Sequence, residues 1–379
     1  MTIANMKFFD FQSVTILTTD KCTAKCAHCC VSSSPKRKAK LSFDEIRGML
    51  DALLDEHQLK VVVFAGGEPS LLKNDLVKAI RYCTDRNIHT RVVTNASWAI
   101  DEKRARGMLK KWRDAGLGDL NVSADDYHLP YIPLDRLNRV WHAAKGLGFN
   151  SVIIALAYQK GSYVTYDRLC ELFGEPDIAQ VYDENGIPKE LDPLRDVDGT
   201  LYAICQRPAS RSGRGLKLID TEDVIHLDGR GEYSTCPWIR SSPAISPRGE
   251  LVSCCGFEAR RVKALNYGTL STDTLGAINA RGDDVVLHAL TMVGPKRLLD
   301  FVREKQNSDV TFDRHVSMCE ACEDLMGKPA NIKILREHAA ELAAWSIARA
   351  KRKAQRQAAQ CKQALEAAAA DSKAQEASA

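Results

Sequence analysis

Apolar and amphipathic runs alternate along the first part of the chain. "SVTILTT" is short, apolar and β-branched, as a buried strand should be. "SFDEIRGMLDALLDEH" repeats its apolar residues at helical spacing, with Ser42 as N-cap and Glu45 three residues on, the arrangement of a capping box. "KVVVFAGG" predicts a strand ending in glycines. "NDLVKAIRYCTDRN" predicts a helix, "HTRVVTN" a strand, and "DEKRARGMLKKWRDAG" a helix closed by Gly116. "DLNVSADD", "LDRLNRVWHAAKGLG" and "SVIIALAY" then predict strand, helix and strand. This alternation implies an α/β fold built on a parallel sheet with crossover helices, either an open doubly wound sheet or a full or partial barrel.

The alternation degrades beyond position 160. Residues 160–235 are rich in Gly, Pro, Asp and Arg, with a short helix predicted over 165–173 and a sixth strand near "LYAICQRP". Residues 236–330 hold most of the remaining clustered cysteines and strand-like pieces such as "AISPRGELVSCC". They are expected to form a small appended domain held by a metal. A helix is predicted from about Ile332, grading into an Ala-, Lys- and Gln-rich tail whose composition is that of a solvated, partly disordered segment. The expected organisation is a barrel over 10–235, a cysteine-rich domain over 236–330 and a tail over 331–379.

Composition narrows the function classes. The net charge of +4 over 379 residues gives no whole-protein basic field for nucleic acid. No apolar run approaches the ~20 residues of a membrane span, and "MTIANMKFFDFQS" does not look like a signal peptide, so a cytoplasmic location without a membrane partner is expected. The 13 cysteines are unusual for that compartment, where clustered thiols bind metal or do redox chemistry rather than pair.

Cys22, Cys26 and Cys29 have the spacing CxxxCxxC and follow the first strand. In a parallel β/α architecture, that loop lies at the carboxyl end of the sheet, where ligands bind. Three thiols on one loop leave a four-iron cluster one iron short of a protein ligand. Cys30 is expected to be a packed or spare residue. The next strand ends in "GGEP", Gly66 to Pro69.

With both motifs at the ends of consecutive strands, the chain resembles the radical S-adenosylmethionine (SAM) superfamily. The resemblance implies a partial (β/α)6 TIM-type barrel with a [4Fe–4S] cluster in its mouth and SAM on the open iron. It also implies an electron donor such as flavodoxin or ferredoxin. Reductive cleavage of SAM to a 5′-deoxyadenosyl radical would abstract hydrogen from a substrate. On the same resemblance, Gly66 and Gly67 offer backbone near the methionine amine, with Glu68 as an acceptor for it. His28 takes the aromatic position near adenine. Ser123 and Asp125 match a Ser-x-Asp pair directed at ribose and carboxylate. Thr94 and Asn95 end the third strand and face the mouth, or simply cap it. Arg136 or Arg139 meets the carboxylate or lies on a solvated face.

Cys236, Gly249 and Cys254, followed by the CxxC of Cys319 and Cys322, resemble the SPASM extension of that superfamily in its shortened Twitch form. Four ligands imply one auxiliary [4Fe–4S] cluster. Structural zinc is the competing reading, and Cys254 and Cys255 compete for one position. Asp126, Tyr127 and His128 follow the fourth strand and are candidates for substrate binding, proton transfer or hydrogen donation, or for shaping the loop. Arg207, Arg211 and Arg214 suit a substrate carboxylate or phosphate, or belong to an exposed loop. The function implied is modification of a peptide or small natural-product precursor. The alternatives are an RNA-modifying enzyme and a non-catalytic metal-binding protein.

Overall fold

The computed structural model of the chain describes residues 11–182, 199–225, 238–256, 259–306 and 317–352, together with residues 189, 235–236, 315, 354–355 and 358–359. The tail from 361 onward, with Cys361 and its expected disorder, lies outside them. Strands and helices alternate as expected: β1 (Ser13–Leu17), α1 (Phe43–Leu54), β2 (Val61–Ala65), α2 (Asn74–Thr84), β3 (His89–Thr94), α3 (Glu102–Asp114), β4 (Asp119–Ala124), α4 (Leu134–Ala144), β5 (Ser151–Tyr158), α5 (Tyr166–Phe173), β6 (Ala179–Gln180) and β7 (Leu201–Pro208). Ser42 closes the predicted capping box on α1: the Glu45 amide donates to Ser42 Oγ at 3.3 Å, and the Ser42 amide donates to Glu45 Oε2 at 2.7 Å.

The sheet runs β1-β2-β3-β4-β5-β7-β6, all parallel. It is an open, partial barrel, and β7 is the strand expected at "LYAICQRP". Because every strand points the same way, the loops after β1, β2, β3, β4, β5 and β7 all emerge at one end. Apolar residues alternate with half-buried ones along β2, β3 and β5, so one face of each strand packs under the helices.

After the short α6 (Gly215–Leu218) come β8 (Ala244–Ile245) and β9 (Glu250–Val252), joined by a hairpin turn at Gly249, whose φ is +77°. β8 pairs parallel to β1, and β10 (Asn266–Thr269) pairs with β9, so the barrel sheet continues into the cysteine-rich region.

That region differs from its sequence expectation. α7 (Leu275–Gly282), α8 (Val285–Met292), α9 (Pro295–Gln306) and α10 (Met318–Met326) replace strand-like pieces. Their Val286, Leu287, Leu290, Leu298, Phe301 and Leu325 are buried in an apolar core shared with the barrel. α11 (Pro329–Glu337) begins three residues before the predicted start, with proline in its first turn, where its missing N–H costs nothing. Among the described residues, no helix is long and apolar enough to cross a membrane.

At the amino ends of the central strands, Asp119 bridges three of them. Its Oδ2 accepts from His89 Nε2 at 2.8 Å and Arg91 Nη2 at 2.9 Å, and its Oδ1 accepts from Ser151 Oγ at 2.8 Å. Burial opposes its charge, but the hydrogen bonds from His89 and Ser151 and the Arg91 cation hold the carboxyl down at about 2. A carboxyl depressed on folding stabilises the fold above its unfolded value, near 3.8, and loses that contribution as pH falls toward 2. Asp119→Asn is expected to cost about 1.5–3 kcal/mol in urea unfolding at pH 7. The gap from wild type should narrow as the titration is repeated from pH 5 down toward pH 2.

Candidate active site

The loop after β1 carries Cys22, Cys26 and Cys29. Cys22 and Cys26 are buried and pack on Ala24, with Cys29 and Tyr127 against them. Amide and side-chain N–H groups point at the sulfurs. The Ala24 amide lies 3.4 Å from Cys22 Sγ, the Ser33 amide 3.3 Å from Cys29 Sγ, and Asn95 Nδ2 3.5 Å from Cys22 Sγ. Burial pushes the Cys22 thiol up to about 12. Such thiols ionise only when a metal takes the proton's place. Three buried cysteines with N–H donors on their sulfurs fit an iron–sulfur cluster.

Gly66 and Gly67 hold this loop in place. The Gly67 amide donates to Thr19 O at 2.6 Å and the Glu68 amide to Lys21 O at 3.1 Å. A Cβ on Gly67 would lie 2.0 Å from Lys21 O, and one on Gly66, at φ +125°, would lie 2.6 Å from Thr19 O. Close backbone approach is thus a second demand for these glycines, besides any ligand.

Glu68 is fully buried. Its carboxylate accepts from the Ser70 amide at 3.1 Å, Thr94 Oγ1 at 2.8 Å and the Asn95 amide at 2.9 Å. It therefore ties the end of β2 to the end of β3. Thr94 Oγ1 also accepts from Trp98 Nε1 at 2.9 Å, while Asn95 reaches Thr23 Oγ1 at 3.0 Å as well as Cys22.

The loop after β4 brings the next group. Asp125 is buried and accepts from both Nδ1 and the amide of His128 at 2.9 Å, and its Oδ2 lies 3.5 Å from His28 Nε2. His28 stacks on Tyr127 with centroids 4.7 Å apart. The ligand atoms of Cys26, His28 and His128 lie within 4.8 Å of one another. Burial opposes charge on His128, but Asp125 and the Cys26 sulfur lift it to about 10. Burial drives His28 the other way, to about 4, against Asp125. One imidazole is thus held charged and its neighbour neutral. Tyr127 donates to Gln159 Oε1, and burial followed by nearby Asp125 pushes its hydroxyl up to about 12. Ser123 is half-buried on β4.

Asp126 faces elsewhere: its carboxylate accepts from the Tyr163 and Val164 amides, each at 2.8 Å, pinning the loop after β5. Arg136 and Arg139 donate to the Ser97 and Ala99 carbonyls of the loop after β3.

The second cysteine set also assembles. The Cys236, Cys319 and Cys322 thiols act electrostatically on one another, and Cys254 on Cys322. A Cβ on Gly256 would touch both Cys319 Sγ and Cys254 Sγ, at 3.7 and 3.8 Å. Cys322 and Cys236 are buried, whereas Cys255 is exposed. Cys30 lies between the two sets, its Sγ 3.7 Å from Cys255 O.

Sequence reasoning missed the partners of the arginines after β7. Arg207 lies over the Tyr182 ring and donates to its hydroxyl. Arg211 pairs with Glu320 at 2.6 Å, and Arg214 donates to Cys26 O at 2.6 Å and to Ser33 O.

Residues 16–145 match the Radical SAM superfamily. The chain carries a radical SAM domain and is a radical SAM enzyme. It is similar to "Putative peptide biosynthesis protein YydG" of Bacillus subtilis, with 20% identity over 85% of this chain and 94% of that one. A shorter stretch is 33% identical to GTP 3′,8-cyclase of Vibrio vulnificus, over 30% of this chain and 34% of the cyclase. Among solved structures, native anSMEcpe with bound AdoMet and Kp18Cys peptide is 15% identical, covering 89% of this chain and 99% of that one, with a TM-score of 0.49.

Gly67→Ala is expected to displace the backbone of Lys21 and Cys22, so that the variant keeps its far-ultraviolet circular dichroism but binds markedly less iron than wild type on anaerobic reconstitution. Gly107→Ala, where a Cβ meets open space, should leave the iron content unchanged.

Proposed function

We propose that this radical SAM enzyme abstracts hydrogen from a peptide, with a first [4Fe–4S] cluster on Cys22, Cys26 and Cys29 and an auxiliary one on Cys236, Cys254, Cys319 and Cys322. The observation that carries the peptide reading is the cleft beside Tyr127. It has a volume of about 480 Å3 and is lined by Gln159, Gln180, Gln206, Ser162 and Thr165 at the carboxyl ends of β5, β6 and β7. Gln206 Nε2 donates to Gln180 Oε1 at 3.1 Å. Glutamine amides carry the same donor and acceptor pair as a peptide group. The arginines that would serve a phosphate or nucleotide substrate are already engaged with Tyr182, Glu320 and backbone carbonyls. The likeness to the Bacillus subtilis protein along nearly its full length supports the same reading.

When bound, the reduced cluster supplies the electron that cleaves SAM, generating the radical that removes hydrogen. The chain's own residues bind and orient. Gly66 and Gly67 present backbone to the methionine end of SAM. His28, neutral and stacked on Tyr127, takes the adenine side. Ser123 and Asp125 face the ribose, and Asp125 fixes the His128 ring at the same time. Glu68, Thr94 and Asn95 hold the rim and give Cys22 an N–H donor, which tunes a cluster without touching it. Tyr127 and His128 lie toward the substrate, and Asp126 holds the loop that forms one wall of the cleft. Reduction is assigned to an external flavodoxin or ferredoxin.

The deciding assay is anaerobic turnover with SAM and a strong reductant. Deuterium-labelled peptides encoded beside the gene should pass their label into 5′-deoxyadenosine. Label transfer from nucleotides but from none of these peptides overturns the substrate assignment. Metal analysis tests the clusters: about eight irons per reconstituted chain are expected, falling to about four in the Cys22/Cys26/Cys29→Ala variant. About one zinc with about four irons in wild type removes the auxiliary cluster.

A further inference from the structure

The segment between β7 and α6, Ser210 to Arg214, touches both cysteine sets. On one side, the Arg214 amide donates to Cys29 O at 3.1 Å and its guanidinium to Cys26 O at 2.6 Å and to Ser33 O. Gly213 is wedged against Cys30: its φ is +58°, and a Cβ there would lie 1.9 Å from Cys30 O. On the other side, Ser210 Oγ meets Ser317 Oγ at 3.0 Å, Ser212 Oγ donates to Gly256 O at 3.3 Å, and the Gly213 amide donates to Glu323 Oε2 at 2.9 Å. Arg211 pairs with Glu320 at 2.6 Å and turns back to hold Ile219 O at 2.9 Å. Glu320 and Glu323 stand on α10 beside Cys319 and Cys322.

Two features single out Arg214. Its donors go to backbone carbonyls, so no carboxylate neutralises it there. Its charge acts directly on Cys29 and His28. A fixed cation beside thiolate ligands stabilises whichever state carries more negative charge, and a cluster gains one negative charge on reduction.

We propose that Arg214 is a positioning residue for the first cysteine loop and that its guanidinium raises the reduction potential of the cluster held there, while the strap from Ser210 to Gly213 fixes that loop to the auxiliary cysteines. This rests on the first cluster of the proposed function. The electron itself comes from the external donor. The cation changes only how readily the cluster accepts it.

The test is a redox titration of the fully reconstituted enzyme, followed by electron paramagnetic resonance, with iron content measured on the same samples. In Arg214→Gln, the reduced fraction of the first cluster at a fixed potential should fall roughly tenfold, a shift of about 59 mV to lower potential for one electron. The auxiliary signal should stay in place. Arg214→Lys keeps the charge and should titrate close to wild type. A first-cluster potential unchanged in Arg214→Gln, or an equal displacement of both clusters, overturns the proposal. Should Arg214→Gln fail to load iron, Arg214→Lys decides: loading at the wild-type potential supports the proposal, and failure to load, or a displaced potential, overturns it. A wild-type chain that binds no iron at Cys22, Cys26 and Cys29 instead overturns the cluster reading on which this rests.

Discussion

Two stretches of backbone meet with no side chain between them, and the active site hangs on that contact. Gly66 and Gly67 lie so close to Thr19 and Lys21 that a single methyl group on either would collide with a carbonyl. The contact extends the β1–β2 pairing past the formal strand ends, through the hydrogen bonds to Thr19 O and Lys21 O. It converts the start of an irregular, cysteine-bearing loop into an extension of the sheet. Glu68 then carries the same order to β3 through Thr94 and Asn95, and Asn95 returns it to Cys22. A buried carboxylate is costly unless its oxygens are satisfied. Here they are satisfied by groups whose positions the site needs fixed.

The second organising element is a contrast of charge. Asp125 holds His128 charged, while burial keeps His28 neutral only one contact away. The cleft next to them is polar but almost uncharged, with Asp167 the acidic residue on its wall. The arginines that the β7 loop contributes turn inward to carbonyls and to Glu320 rather than outward to solvent. The mouth is therefore positive next to the sulfurs and amide-like toward the substrate side.

Much of the barrel was legible because its elements have strong periods and clear boundaries. β1 to β5 are β-branched runs bounded by turn residues, and α1 shows its cap in the sequence. The ligand spacing of Cys22, Cys26 and Cys29 was legible for a related reason: those residues are local. α8 was not legible, because "VVLHALTM" is apolar on most sides and a run of that length fits a strand or a helix equally. The arginine partners were invisible for the opposite reason. Arg211 meets Glu320 across 109 positions and Arg214 meets Cys26 across 188, so the residue types were conspicuous but their use depended on tertiary structure. Asp126 shows the limit of proximity in sequence. It stands between Asp125 and Tyr127, yet it serves the loop after β5.

The parallel pairing of β8 with β1 carries a kinetic consequence. β1 leads directly into the first cysteine loop, and the β8–β9 hairpin leads directly to Cys254, so adjacent strands of one sheet deliver the two sets. A sheet ladder does not swing like a tethered module. The separation between whatever the two sets hold is thus built into the fold rather than sampled by diffusion of one part against another. Any electron passing between them would travel at a rate set by that frozen distance, insensitive to solvent viscosity, and only the arrival of the donor and the substrate would remain to be gated.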